Sequence, residues 1–256
     1  MTNTALITGA SGGIGAEFAR YHASRGGDLV ITARRGDALD ALKADLEAAH
    51  GVTVTTIACD LGAADGAEKV YQATKGTRID ILINNAGFGG HGAFVDRPLL
   101  EDLGMIDLNV KALVSLCHKI GNDMVAQGGG KILNVSSSAS YMPGPLQATY
   151  FATKAYVSNF SAALAEELGD KGVTVTSLEP GYVETDFAKA ANLEGTALVK
   201  SGADAASVAK YGYDAMLAGK ITAIPDWKLA FQLRWVMPLL PMKAKLKFVR
   251  KMQEKS

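Results

Sequence analysis

The sequence predicts a single α/β domain built around a doubly wound parallel sheet. Short apolar stretches alternate with helical patterns six times along the chain, as expected for consecutive strand–helix units. The 256 residues lie near the upper limit for one hydrophobic core. With 28 glycines and only 7 prolines, the composition suits a compact fold with many tight turns between strands and helices.

The first strand and the loop after it predict a nucleotide site. Thr4–Thr8 is a short apolar strand that runs directly into a loop at 9–15, which reads Gly-Ala-Ser-Gly-Gly-Ile-Gly. A helix follows, with Ile14 and Phe18 on one face. Such glycines let the backbone approach a pyrophosphate, whose charge is met by the amides and the dipole of the helix. The alternative is a glycine turn that binds nothing.

The second strand bears on which dinucleotide is bound. Asp28–Ala33 ends directly before Arg34 and Arg35, and a helix is predicted at 37–50. An acidic side chain at this strand end would bind the ribose 2′-hydroxyl of NAD, whereas a cation would bind the 2′-phosphate of NADP. A guanidinium grips phosphate with two hydrogen bonds, so the sequence predicts NADP(H) held by Arg34. The alternative is an ordinary charged helix start in which Arg35 is simply solvated.

The third and fourth strands are each followed by a polar motif. The third is predicted at 52–58, with Asp60 just beyond it, and the fourth at 79–83, followed by Asn-Asn-Ala-Gly at 84–87. The small residues of the tetrapeptide allow close passage of the backbone, and its amides can tie neighbouring strands together. For Asp60, capping of the next helix is an alternative role.

A long helix is predicted at 99–126, and a fifth strand at 131–135. Asn109 lies inside this helix, although asparagine is a poor residue there because it competes for backbone hydrogen bonds. A functional role for Asn109 and a plain surface position are the two alternatives.

Tyr150 and Lys154 are the pair around which a catalytic site is predicted. Four residues apart on a helix, they share one face, so the ammonium can lie beside the phenol. A neighbouring positive charge favours the phenolate and lowers the tyrosine pKa from its usual value of about 10. The pair is then able to exchange a proton with an oxygen near neutral pH. The serines at 136–138 end the fifth strand with hydroxyls for the same oxygen. A solvent-facing helix pair is the alternative.

These motifs together resemble the short-chain dehydrogenase/reductase family, in its compact form with Thr-Gly-x-x-x-Gly-x-Gly and Tyr-x-x-x-Lys. The resemblance spans about residues 4–186 and implies a Rossmann-like sheet extended to seven strands. It implies NADP(H)-dependent reduction of a ketone or aldehyde, or the reverse oxidation of a secondary alcohol. In the implied site Tyr150 is the general acid, Lys154 lowers its pKa and binds ribose, and Ser137 orients the carbonyl. Asn109 would kink its helix and hold a water for Lys154.

The same resemblance implies the cofactor contacts. After the sixth strand, Val173–Leu178, the motif Pro-Gly-x-x-x-Thr at 180–185 would hold the nicotinamide carboxamide, and Asp60 would contact adenine. The expected cofactor-binding residues are Gly9, Ser11, Gly12, Gly13, Ile14, Gly15, Arg34, Asp60, Leu61, Asn85, Ala86, Gly87, Tyr150, Lys154, Pro180, Gly181, Val183 and Thr185. The loop at 140–147 would line the substrate pocket, and 186–201 would be a mobile lid. Glu179 departs from the family pattern and receives no role.

Composition argues against several other classes of protein. The formal net charge of zero disfavours nucleic acid as the main partner. The two cysteines and four histidines show no spacing typical of metal ligands, so no metal is expected. The first residues carry no signal-peptide pattern, and no apolar run reaches the length of a membrane span, so a cytoplasmic protein is expected. The family implies a homodimer or homotetramer.

The C-terminus leaves the family pattern. A seventh strand is predicted at 221–225, which closes a cofactor-binding and catalytic region at 1–225. The rest, 226–256, is an apolar and basic extension of the same domain that contains Trp227, Phe231, Trp235, Leu239 and Leu240. Three roles compete: a flap over the substrate pocket, a subunit contact, or an amphipathic segment on an anionic membrane. Two prolines at 238 and 241 break a continuous helix, so the flap is favoured and membrane binding is not expected.

Two other functions stay open beside the general carbonyl reductase. One is a narrow 3-hydroxy-acid dehydrogenase. The other is a catalytically idle NADP sensor or scaffold, against which the intact set of Ser137, Tyr150, Lys154 and Asn109 argues.

Overall fold

The computed structural model describes residues 3–199 and 201–255. The strands are β1 Thr4–Thr8, β2 Asp28–Ala33, β3 Val54–Ala58, β4 Ile81–Asn84, β5 Gly130–Val135, β6 Val173–Leu178 and β7 Thr222–Ala223. All pair in parallel, in the order β3-β2-β1-β4-β5-β6-β7. The doubly wound, Rossmann-like sheet of seven strands expected from the sequence is therefore confirmed.

Helices cover both faces of this sheet. They are α1 Gly13–Ser24, α2 Gly36–His50, α3 Gly66–Ala73, α4 Leu99–Ile106, α5 Leu113–Ala126, α6 Ala148–Gly169, α7 Phe187–Ala190, α8 Ala205–Leu217, α9 Trp227–Phe231 and α10 Met242–Gln253. One hydrophobic core joins α1, α2 and α8 to the sheet, and a second core joins α3, α5 and α6 to its other face. Neighbouring strand residues point into opposite cores, as Leu6 and Ile7 do, which explains why β1 is apolar throughout.

The strand order places the functional edge of the sheet. It runs outward in both directions from the adjacent pair β1 and β4, so the loops that follow these two strands diverge. In open parallel sheets such a switch point forms a crevice at the carboxyl ends of the strands, where ligands bind. Both the glycine loop and the Asn-Asn-Ala-Gly motif start at this crevice.

Several predicted boundaries shift. The third strand begins at Val54 rather than at 52, and the fourth spans Ile81–Asn84 rather than 79–83. The long helix at 99–126 is present, but a π turn at Asp107–Ala112 joins α4 to α5. A π turn is a local widening of a helix rather than a break.

The expected lid is partly a packed element. It contains α7 and a 3₁₀ turn at Ala197–Val199, and its Ala188, Ala191 and Leu193 form a small buried cluster. Lys200, within the expected lid, lies outside the described residues, as do Met1, Thr2 and Ser256 at the chain ends. In the part of the chain that the structure describes, no helix has both the length and the apolarity to cross a membrane.

Candidate active site

The glycine loop after β1 is shaped to receive an anion. Gly9 and Gly13 have φ values of +67° and +54°, which glycine adopts without strain. A Cβ on Gly15 would lie 2.3 Å from the carbonyl oxygen of Gly9, so no side chain fits there. Helix α1 begins at this loop with neither a side-chain cap nor an acidic residue in its first turn. Its first amides and its dipole therefore suit a phosphate.

The residues after β4 hold this loop in place. The Asn85 side chain donates to the carbonyl oxygens of Thr8 and Gly9, at 3.0 and 3.2 Å. In return the Thr8 hydroxyl accepts from the backbone amides of Asn85 and Ala86, at 3.0 and 2.9 Å. The tetrapeptide thus ties neighbouring strands together as its composition predicts.

A second arginine takes part in this edge of the site. The Arg35 guanidinium donates from Nη2 to the Ser11 carbonyl at 2.9 Å and lies 3.3 Å from the Ser11 hydroxyl. Arg34, which the sequence favoured, is exposed at the end of β2 beside it. The sequence left Arg35 as a possible solvated charge, because its partner Ser11 is 24 positions away. Arg35 therefore contacts the glycine loop directly, and Arg34 precedes it in the sequence.

Other expected cofactor residues lie around the same crevice. Asp60 accepts from the Gly62 amide at 2.9 Å in a turn after β3, so it does not cap α3, whose N-cap is Asp65. Thr185 sits against the glycine loop, since a Cβ on Gly13 would lie 3.2 Å from its methyl group. The Pro180 carbonyl accepts from the Ser138 amide at 2.8 Å, which joins the Pro-Gly loop to the serine loop.

Tyr150, Ser137 and Lys154 come together at the start of α6. The Ser137 hydroxyl hydrogen-bonds Tyr150 and also accepts from the Ala139 amide at 3.1 Å. The Lys154 ammonium donates to the Val135 carbonyl at 2.8 Å and lies 5.8 Å from the centre of the Tyr150 ring. All three side chains sit at the carboxyl end of β5, as the sequence predicts.

The pKa of Tyr150 moves in the opposite direction to the one expected from its spacing to Lys154. Burial raises the pKa of Tyr150 to about 12, and only the hydrogen bond from Ser137 opposes it. Burial also lowers the pKa of Lys154 to about 8, so the ammonium is itself destabilised. Desolvation dominates both shifts because both groups are almost fully removed from water.

Asn109 braces the site through the loop after β4. Its side chain donates to the Phe88 carbonyl at 2.9 Å and accepts from the Phe88 amide at 3.1 Å. It also donates to the Thr153 hydroxyl at 3.2 Å, next to Lys154 in α6. A Cβ on Gly87 would lie 2.9 Å from Asn109 Oδ1 and 3.6 Å from Lys154 Nζ, so this glycine lets the three segments converge. The π turn around Asn109 accompanies these bonds.

Tyr150 lies in apolar and closed surroundings. Tyr150 packs in a cluster with Phe88, Met105, Ala139, Met142, Phe151, Phe187 and Val249. Val249 belongs to α10, so the C-terminal extension contributes to the same cluster as Tyr150, and Val249 is only 3% exposed. The cavity beside Tyr150 measures about 20 Å³, the size of one water rather than of a substrate.

Comparison with known protein families shows which family the chain belongs to. A family model described as short chain dehydrogenase matches residues 3–195. The chain belongs to the short-chain dehydrogenase family. Serine 3-dehydrogenase from Agrobacterium fabrum is 39% identical over 191 residues, which are 73% of this chain and 74% of that protein. Very-long-chain 3-oxoacyl-CoA reductase from Homo sapiens is 35% identical over 189 residues, or 72% of this chain but only 61% of that protein's length.

Solved structures give the same result over a larger share of the chain. A short-chain dehydrogenase from Sphingobium yanoikuyae in complex with NADPH has a TM-score of 0.83 at 31% identity, covering 93% of this chain and 96% of that one. A bulky-bulky ketone specific alcohol dehydrogenase from Comamonas testosteroni has a TM-score of 0.79 at 30% identity, covering 93% and 95%. These relatives are oxidoreductases that act on alcohol or carbonyl groups.

Within this short-chain dehydrogenase, Glu179 has a structural account that the sequence did not provide. It is 2% exposed and accepts hydrogen bonds from the Tyr141 hydroxyl at 2.6 Å and the Ser177 hydroxyl at 2.9 Å. Arg234 of the C-terminal extension hydrogen-bonds the same tyrosine. Burial and the neighbouring Glu179 raise the pKa of Tyr141 to about 12. Glu179 therefore links β6 to Tyr141 in the loop at 140–147, and through Tyr141 to Arg234 of the extension.

Ser136, the first of the three serines at 136–138 of this short-chain dehydrogenase, has structural contacts. The Ser136 hydroxyl donates to the Lys154 carbonyl at 2.8 Å and accepts from the Ser158 hydroxyl at 2.8 Å, which fixes β5 to α6. Among the described residues, no group of three or more histidine, cysteine or acidic side chains is arranged to hold a metal ion.

Proposed function

We propose that this chain is an NADP(H)-dependent oxidoreductase that reduces a ketone or aldehyde, or oxidises a secondary alcohol. The observation that carries the proposal is the hydrogen-bonded pair Ser137–Tyr150 with Lys154 beside it, at the end of β5 and facing an apolar cluster. A hydroxyl pair of this kind has two donors to place on one substrate oxygen.

Each protein group has a separate task in this mechanism. The nicotinamide, when bound, supplies or accepts the hydride. Tyr150, neutral below its pKa of about 12, gives its proton to the substrate oxygen during reduction. Ser137 orients that oxygen by a hydrogen bond. The Lys154 ammonium binds the ribose and favours the phenolate left after the proton has moved. Asn109 completes a water-linked proton path behind Lys154.

The proposal of NADP rests on charge at the end of β2. The strand ends in Ala33 with no acid to bind a ribose 2′-hydroxyl, and Arg34 and Arg35 follow. The glycine loop and the N-terminus of α1 would hold the pyrophosphate, with Asp60 and Leu61 at the adenine. Asn85, Ala86, Gly87 and Lys154 would hold the ribose side, and Pro180, Gly181, Val183 and Thr185 the carboxamide. The NADPH complex of the Sphingobium relative supports this choice.

Two matched variants test the cofactor assignment. Arg34→Glu and Arg35→Glu each replace a charge-assisted contact by repulsion, so the affinity for NADPH should fall by roughly ten- to a hundredfold. NADH should be affected far less, and Lys75→Glu, at a remote cation, should change neither. A wild type that prefers NADH, or variants that weaken both cofactors equally, would contradict the role of the arginines.

The apolar cluster around Tyr150 favours an uncharged, hydrophobic carbonyl substrate. The similarity to the bulky-bulky ketone specific enzyme supports a substrate of this kind. Similarity to serine 3-dehydrogenase favours a second candidate, oxidation of a 3-hydroxy acid. That candidate needs a cation for the carboxylate. Arg97, which borders the cavity beside Tyr150, is already paired with Asp102 at 2.9 Å and Glu101 at 3.3 Å.

One turnover panel separates the alternatives. Wild-type protein with NADPH is assayed on aryl and long-chain ketones and aldehydes, and with NADP⁺ on 3-hydroxy acids. Turnover of the apolar ketones is expected. Turnover confined to 3-hydroxy acids would select the second candidate, and tight NADPH binding without any turnover would identify a sensor or scaffold.

We also propose that residues 1–225 and 226–256 form one domain, in which the extension shapes the substrate pocket through Val249.

Assembly into a homodimer or homotetramer through α5 and α6 is supported by their outer face. That face holds a shallow groove of about 390 Å³ lined by Val110, Val114 and the half-exposed Tyr156. A cytoplasmic location, with no nucleic acid partner, completes the proposal.

A further inference from the structure

The C-terminal extension has an outer apolar face that nothing within the described chain covers. The helical stretch 227–239 consists of α9, a π turn at Gln232–Val236 and a 3₁₀ turn at Met237–Leu239. On it Trp227, Phe231 and Trp235 recur every four residues and are 75%, 57% and 67% exposed, with Leu239 at 85%. We call these four residues the aromatic face.

The opposite side of the same stretch is also apolar, and it is buried. Leu233 and Met237 pack with Ile224, and Tyr141 and Met142 of the substrate loop lie against them. The stretch is thus anchored by one side, while its other side presents large aromatic groups to the surroundings. A cluster of large exposed aromatic side chains of this kind marks an interaction surface.

The charge of the extension indicates what covers this surface. Between Trp227 and Gln253 there are seven lysines and arginines and no acidic residue. They are Lys228, Arg234, Lys243, Lys245, Lys247, Arg250 and Lys251. Since the whole chain has a formal net charge of zero, the other residues carry a net charge of −7. Among the described residues, only Arg250 of these seven forms an ion pair, with Glu254 at 3.2 Å.

We propose that the aromatic face docks on the surface of an anionic lipid bilayer. Indole rings favour the boundary between head groups and acyl chains, and lysines and arginines beside them bind anionic head groups. Self-association through this face fits less well, because a symmetric contact would bring two segments of charge +7 together.

Pro238 and Pro241 do not weaken this mode of binding. They end the stretch and redirect the chain into α10, but they leave the aromatic face exposed. An interfacial segment lies along the bilayer and needs no helix long enough to span it. The sequence-based argument against a membrane therefore applies only to one continuous long helix.

The two tryptophans make a direct test possible. They are the only tryptophans of the chain, and both lie on the aromatic face, so the intrinsic emission of the full-length protein reports on this surface. Vesicles of phosphatidylcholine mixed with phosphatidylglycerol should shift the emission to shorter wavelength, and vesicles of phosphatidylcholine alone should do so much less. The shift should weaken in high salt, since screening shortens the range of the attraction from about 10 Å at 0.1 M to about 3 Å at 1 M.

A matched pair of phenylalanine variants locates the contact. Phe231→Ser keeps both tryptophan reporters and should lower vesicle affinity in sedimentation by about tenfold. Phe94→Ser is the control, because Phe94 is similarly exposed, at 62%, but lies outside the extension. Lys243→Gln combined with Lys247→Gln should lower affinity for anionic vesicles by roughly thirtyfold. Unchanged far-UV circular dichroism verifies that each variant is folded.

Three outcomes would overturn the proposal. The first is an emission spectrum that neither vesicle type shifts. The second is a shift without lipid that grows with protein concentration, which would make the face a contact between copies of this chain. The third is equal loss of vesicle binding in Phe94→Ser and Phe231→Ser.

Discussion

At the scale of single residues, burial controls the protonation of the site more strongly than the spacing of its charges. Desolvation raises the pKa of Tyr150 to about 12 and lowers the pKa of Lys154 to about 8, so both groups are mostly protonated at neutral pH. The raised pKa keeps the tyrosine protonated but makes it a weaker acid, so proton donation from it would depend on stabilisation of the phenolate left behind. The residue types were predictable from sequence, but the direction of the tyrosine pKa was not, since burial depends on Phe151, Phe187 and Val249 packing around it.

Removal of the Tyr150 hydroxyl tests its role as the proton donor. Tyr150→Phe keeps the ring in its apolar cluster, so turnover should fall by about 10²–10⁴-fold while NADPH still binds. Steady-state kinetics on the best ketone of the panel and a cofactor titration measure the two effects. Tyr156→Phe, at an exposed tyrosine of the same helix, should behave as wild type. Near-normal turnover in Tyr150→Phe would exclude it as the acid.

At the scale of secondary structure, the elements that were predictable are those with a local cause. The apolar strands β1, β2 and β6 have the predicted bounds because their residues are buried on both sheet faces. The π turn at Asp107–Ala112 was not predictable, because the Asn109 side chain bonds Phe88, 21 residues away. Glu179 lacked an interpretation for the same reason, since its partner Tyr141 is 38 residues away.

The contact between Glu179 and Tyr141 should appear as an energetic coupling between β6 and the substrate loop. Glu179→Gln and Tyr141→Phe each remove a charge-assisted hydrogen bond and should each destabilise the fold by about 1.5–3 kcal/mol. The double variant should lose little more than either single one, because both changes break the same bond. Denaturant unfolding of the four proteins completes the cycle. Fully additive losses would mean that the two groups act independently.

The contact between α10 and the site should appear in the substrate profile. Val249→Ala removes apolar volume beside Tyr150, Met142 and Phe187, so the ratio of kcat/KM for bulky over small ketones should rise. Phe248→Ala, at its exposed neighbour, is the control and should leave that ratio unchanged. A ratio that Val249→Ala does not alter would separate the extension from the pocket.

At the scale of the whole molecule, the fold was predictable because local pattern and motif agree along residues 4–186. The conformation of the chain beyond residue 186 was not predictable, since it depends on what this region packs against. The extension packs against Tyr141 and Met142 of the loop at 140–147, and it contacts the loop after β4 through His91, whose Nε2 lies 2.7 Å from the Gln253 carbonyl oxygen. These contacts join the last elements of the chain to loops from its middle, which no periodicity in the sequence encodes.

Stability of the whole molecule should depend on pH through Lys154. Its folded pKa of about 8 lies below the value of about 10.4 in an unfolded chain, so between these values the unfolded state binds more protons. The free energy of unfolding should therefore rise as pH increases from about 8 to about 10. Tyr150 acts in the opposite sense above pH 10, because its folded pKa of about 12 exceeds its unfolded value. Lys154→Met removes the contribution of Lys154. Urea unfolding gives the free energy of unfolding of both proteins at each pH, and the difference between the two values cancels the contributions of the other titrating groups. At pH 7 the free energy of unfolding of Lys154→Met should exceed that of wild type, by an amount that the lost hydrogen bond to the Val135 carbonyl reduces. This difference in the free energy of unfolding should narrow steadily from pH 8 to pH 10. A difference in the free energy of unfolding that stays constant from pH 8 to pH 10 would show that burial does not destabilise the Lys154 ammonium.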